Sequence, residues 1–105
     1  MSEERIPPES QEAIGRRLRE TREALELSPR QFYEAVGFSK TQLENYEAGR
    51  RLMKPAMAIR VITAFTAAKL DFNWLYHGDL GGTAYDFAQA VLSRRERDRA
   101  ANEAA

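Results

Sequence analysis

Lys40, Thr41, Gln42 and Asn45 fall within the segment SKTQLENYEAGRR, residues 39–51. Their ammonium, hydroxyl and amide groups are neither strong acids nor nucleophiles, so the chemistry they can do is recognition rather than bond-making. Each has a partner on the edges of nucleobases. Asn and Gln pair two-pronged with adenine, Lys contacts guanine, and Thr presents a methyl to thymine. Arg50 and Arg51 follow at once and suit backbone phosphates, which fix register without reading sequence. Chemistry of other kinds finds little material. Cysteine is absent and His77 is the single histidine, which removes thiolate and multi-histidine metal sites. Gly78, Gly81 and Gly82 are not followed by the Gly-Lys-Ser/Thr of a phosphate loop. The expectation is a protein without catalytic residues, metal or cofactor.

The elements that must position these residues read as helices throughout. Ser39 to Gln42 is a capping box, opening a helix that runs to about Ala48 with Leu43 and Tyr46 inward and Gly49 at its end. Gln42 thereby also has a structural role, as the residue that reciprocates the Ser39 cap. A second capping box, Ser28-Pro29-Arg30-Gln31, opens a preceding helix that buries Phe32 and Val36 and stops at Gly37. Ahead of it, Ile14, Leu18, Thr21 and Leu25 share one face of a first helix over about 9–26. Pro55 opens a fourth helix that carries Ile59, Ile62 and Phe65 to about Lys69. Asp71 caps a short fifth helix with Phe72, Trp74 and Leu75 in the core, ended by Gly78. The glycine-rich connection after it leads to a sixth helix from Thr83. Its Phe87, Val91 and Leu92 either cover the bundle or pair with a second subunit. No strand pattern is present, so the fold class is all-α.

Charge is balanced overall, with 16 basic and 16 acidic residues. Its distribution is uneven. Residues 1–12 carry one Arg against four Glu, residues 13–60 carry ten Lys or Arg against six Glu, and residues 61–105 carry five against six. The basic excess therefore sits with the Lys40–Asn45 face, while the low net charge implies modest non-specific affinity for nucleic acid. The acidic start MSEER is unlike a secretory signal. The most apolar window, AMAIRVITAFTAAKL, is interrupted by Arg60 and Lys69 and is too short to span a bilayer. The expected location is the cytoplasm.

Two short helices joined by a glycine turn within a bundle are the helix-turn-helix arrangement. On IGRRLRETREALELS, FYEAVGFSKTQLENYEAGRR and LDFNWLYHGD, spanning about Ile14 to Asp79, the sequence resembles the phage-repressor and Cro-like helix-turn-helix proteins, the XRE family. The resemblance implies a lambda-repressor-like five-helix bundle over 9–79, with a tail over 1–8. Residues 80–105 then form a linker and an extra C-terminal helix, a possible dimerisation element. It implies base reading by Lys40, Thr41 and Asn45, with Gln42 between them. It implies phosphate contacts at Arg50 and Arg51 and an ion pair between Arg22 and Glu47. Ser28, Arg30 and Ser39 are further phosphate candidates around the helix starts. Three positions depart from the family. Pro29 stands where a glutamine usually touches the DNA backbone, Tyr33 where an alanine lets the two helices cross closely, and Ala48 where an asparagine precedes Gly49.

The function expected on this basis is a sequence-specific double-stranded DNA-binding regulator, a homodimeric repressor of a palindromic operator. No membrane or small-molecule partner is indicated. The alternative is a protein–protein interaction module that keeps the fold without reading DNA, motivated by Pro29, Tyr33 and the neutral charge.

Overall fold

A computed structural model of the protein describes residues 7–104; of the expected N-terminal tail, residues 1–6 lie outside the described residues. The chain forms α1 (Gln11–Ala24), α2 (Pro29–Val36), α3 (Lys40–Glu47) and α4 (Pro55–Ala64). A 3-10 turn (Thr66–Ala68), a π-helical turn (Asn73–His77) and α5 (Tyr85–Ala104) follow. There is no strand among the described residues. The protein is an all-α helix-turn-helix bundle.

The start of α1 is set by Ser10, whose hydroxyl oxygen accepts from the Ala13 N–H at 3.1 Å. Its apolar stripe, Ile14 and Leu18 with Thr21, is fully buried. Phe32, Leu43, Val61, Trp74 and Leu75 close over it as one core. Fully burying side chains of this size contributes about 1.5–3 kcal/mol each. The backbones of α1 and α3 come close at Gly15. A Cβ placed on Gly15 would lie 2.0 Å from the Tyr46 carbonyl oxygen, so glycine is what lets the two backbones touch.

The first helix is shorter at both ends than the expected 9–26 and the last begins at Tyr85 instead of Thr83; four larger departures follow. The fourth helix ends at Ala64 instead of continuing to Lys69. Phe65 leaves helical geometry, and the 3-10 turn that follows aims the Ala68 carbonyl at the Ala84 N–H, 2.9 Å away at the head of α5. The buried face of α4 is Ala58 and Val61, whereas Ile59 is 51% exposed. The fifth helix is a π turn. Its wider winding buries the adjacent residues Trp74 and Leu75 together and leaves Phe72 largely outside, stacked on Tyr76 at 5.8 Å. Along α5, Phe87 and Val91 are buried but Leu92 is not.

Polar contacts lock α5 and the π turn onto α1. Trp74 Nε1 donates to Thr21 Oγ1 at 2.9 Å, and that hydroxyl donates to the Arg17 carbonyl at 2.8 Å. Arg17 is itself buried, which lowers its pKa; its Nε donates to the Leu75 carbonyl at 3.0 Å and its Nη2 to that of Pro8. Arg95 on α5 reaches Glu20 through two bonds of 2.6 and 2.8 Å and lies over the Trp74 ring. Phe87 meets the same ring edge-on. The C-terminal helix thus covers the bundle.

Candidate nucleic-acid interface

The sequence places α2 and α3 through two identical local devices. At each start the serine hydroxyl accepts from the backbone N–H three residues on, and the glutamine there returns a bond to the serine N–H. The distances are 3.1 and 2.8 Å for Ser28 and Gln31, and 3.0 and 2.8 Å for Ser39 and Gln42. Between the helices Gly37 takes φ 81°, a conformation that favours glycine. The N–H groups of Gly37 and Phe38 both donate to the Tyr33 carbonyl. Arg60 of α4 then donates to the Gly37 carbonyl at 3.0 Å. Phe38 is buried edge-on against Tyr46, fixing the turn from inside.

From behind, α3 is held by α1. Arg22 Nε and Nη2 donate to the two Glu47 carboxylate oxygens at 2.9 and 3.1 Å, and Nη1 donates to the Leu27 carbonyl. These side chains are only 12% and 15% exposed, and the bonds to Glu47 raise the Arg22 pKa. Past α3 the chain turns at Gly49, with φ 75°, directly against Glu12. Gln11 Nε2 donates to the Gly49 carbonyl at 2.8 Å. Arg50 and Arg51 therefore leave α3 from a point fixed by the first turn of α1.

The structure divides the sequence-selected residues into two flanks. Ser39, Thr41, Gln42, Asn45 and Arg51, with Tyr46 beneath, surround a hollow of about 280 Å³. Lys40 lies on the other flank, in a hollow of about 360 Å³ with Ser28, Pro29, Arg30, Tyr33, Leu43 and Glu44. Tyr33 is half-buried there, against the core. Arg30 is exposed and paired with Glu34 at 2.9 Å, which raises its pKa. Two amide oxygens are engaged within the molecule: that of Gln42 by the Ser39 N–H, and that of Asn45 by Arg50 Nε at 3.0 Å. Thr41 and Arg51 are exposed.

Residues 13–71, more than half of the chain, match the family model described as a helix-turn-helix domain. The chain belongs to the helix-turn-helix domain family. No curated protein and no solved structure matches it. Its α2 and α3, joined at Gly37, lie within the matched residues, and the membership supports DNA binding.

The match runs from Ala13, in the first turn of α1, to the residue before Phe72, so α5 lies outside it although Phe87 and Val91 belong to the same core. Sequence reasoning missed four residues on which this helix-turn-helix unit depends. Gly15 and Arg17 looked like ordinary positions of an amphipathic helix, and only a glycine on a helix face otherwise rich in side chains hinted at close approach. Phe38, an apolar residue directly after the turn glycine, was the legible signal of a buried anchor. Arg60 carried none. Among the described residues no helix is long and apolar enough to cross a membrane.

Proposed function

We propose that the protein is a sequence-specific double-stranded DNA-binding transcriptional regulator of the phage-repressor/Cro-like (XRE) kind. It acts in the cytoplasm as a homodimeric repressor on a palindromic operator, without catalysis or cofactor. One observation carries the reading: the outward face of α3 presents Thr41, Gln42 and Asn45 around one hollow, with Arg51 at its edge, on a helix anchored to α1 by the Arg22–Glu47 pair. A helix so held can enter the major groove with its first turns against base edges. Lys40 flanks the groove floor on the α2 side. Arg50, Arg51 and the hydroxyls of Ser28 and Ser39 reach phosphates; these hydroxyl oxygens accept a cap bond, and their hydrogens stay available to donate. Arg30 joins them when it exchanges Glu34 for phosphate.

The test is selection of bound duplexes from a random pool, with Asn45→Ala alongside. An enriched palindrome with half-sites about one helical turn apart supports the dimeric reader. Asn45→Ala should cost about 1–3 kcal/mol on that site and relax one base position. Folded protein that enriches nothing at moderate salt refutes the proposal and leaves a protein-binding module, with Pro29 and Tyr33 the departures to examine.

A further inference from the structure

The hollow on the outer face of α3 is chemically one-sided. Gln42 turns its Oε1 to the Ser39 N–H and Asn45 turns its Oδ1 to Arg50 Nε. A backbone N–H and a guanidinium N–H only donate, so the amide atom facing each must be oxygen. The two NH₂ groups are thereby the uncommitted ends. The Ser39 hydroxyl oxygen already accepts from the Gln42 N–H, so its hydrogen is what it can offer. Arg51 at the rim has donors alone. No carboxylate lines this hollow; Glu44 lies on the opposite flank beside Lys40. The hydroxyls of Thr41 and Tyr46 donate as readily as they accept, and the oxygens of Gln42, Asn45 and Ser39, each with one bond already, keep a second lone pair.

We infer, resting on the DNA-reading role proposed above, that this face selects guanine, in place of the adenine that asparagine and glutamine ordinarily pair with. In the major groove guanine shows two acceptors, O6 and N7, and no donor. Adenine sets the N6 donor beside N7, and cytosine shows a donor only. Two-pronged pairing with adenine needs the amide oxygen and nitrogen turned to the base together. For Gln42 that makes one oxygen serve the base as well as the Ser39 N–H of the capping box, and for Asn45 the base as well as Arg50 Nε, each through its second lone pair. Guanine is met by the NH₂ groups alone, with neither oxygen shared. Thymine, with one acceptor and a methyl for Thr41, is tolerated beside it. Arg50 is then a positioning residue. Its Nε holds Asn45 while its terminal nitrogens, which make no hydrogen bond among the described residues, reach a phosphate.

The experiment uses the full chain and the duplex it selects from a random pool. Guanine should dominate at the bases contacted by Gln42 and Asn45. Replacing those guanines by 7-deazaguanine, which lacks the N7 acceptor, should weaken binding about two- to tenfold per position. Inosine, whose major-groove edge is that of guanine, should leave affinity within about twofold. Arg50→Ala frees the Asn45 oxygen, so its base preference should broaden from guanine to adenine in addition to a general loss. A purely phosphate-binding arginine gives the general loss with the preference unchanged, and that result overturns the positioning role. A selected site with adenine at these positions, or one indifferent to 7-deazaguanine, overturns the inference and leaves DNA reading in place. No selected site at all removes both.

Discussion

Replacing Gly15 by alanine sets two effects of opposite sign against each other. Alanine in a helix interior is worth about 1 kcal/mol over glycine, so propensity alone makes Gly15→Ala a stabilising change. The tertiary structure reverses the sign. The added Cβ would sit 2.0 Å from the Tyr46 carbonyl oxygen and 3.2 Å from that of Glu47, where ordinary contact begins near 3.4 Å. Both neighbours are backbone, so no side chain can swing away. The helices must part, and a gap of about 1 Å already forfeits up to half the attraction of each contact across the seam, here Ile14 and Leu18 against Leu43 and Tyr46. Overpacking of this kind costs about 1–3 kcal/mol and more where backbone moves. Taking the upper end of that range, because backbone must move, and subtracting the roughly 1 kcal/mol of propensity leaves an expected net loss of about 2 kcal/mol, or a fall in Tm on the order of 8–16 °C for a domain of this size. Thermal and urea unfolding followed by circular dichroism measure it. A variant as stable as the parent, or more so, would show that α1 and α3 do not touch through Gly15.

Three further outcomes are expected. Glu47→Ala leaves the Arg22 guanidinium uncompensated at 12% exposure and should cost about 3 kcal/mol, whereas the double change to apolar residues of similar size should cost much less; equal losses in urea unfolding would contradict a buried pair. Arg95→Ala should lose less than about 1 kcal/mol, since Arg95 is half exposed, yet shift the emission of Trp74, the only tryptophan; an unchanged spectrum would mean that α5 does not dock there. Burial raises the pKa of Tyr76, whose hydroxyl donates to the Met53 carbonyl at 2.6 Å. In the unfolded chain that phenol ionises near its ordinary 10.0, while the folded protein still binds the proton. The contribution is therefore complete below that pH and is lost as pH rises through the folded value. Tyr76→Phe should flatten the alkaline limb of a stability–pH curve, and an identical limb would refute the assignment.

Features written in short, local runs of sequence were legible without the fold. Ser28 to Gln31 and Ser39 to Gln42 specify helix starts because each cap closes on an atom three residues away. Gly37 specifies the stop because φ 81° is strained for any residue with a Cβ. Those signals, with the apolar positions between them, determined the two helices of the motif, and Gln42's return bond to Ser39 was readable in the same run. The end of α4 was not, since no glycine or proline lies between Pro55 and Gly78; the break follows from the bond between Ala68 and Ala84, sixteen positions apart. Tertiary structure likewise decided which flank each polar residue of α3 occupies, because Lys40 and Asn45 project from different sides of a helix whose rotation is set by Gly15 and the Arg22–Glu47 pair. It also decided what Asn45 has left to offer. The sequence alone supplied an amide with one donor end and one acceptor end. The turn at Gly49, seated against α1, brings Arg50 back to the acceptor and leaves the donor without an internal bond among the described residues.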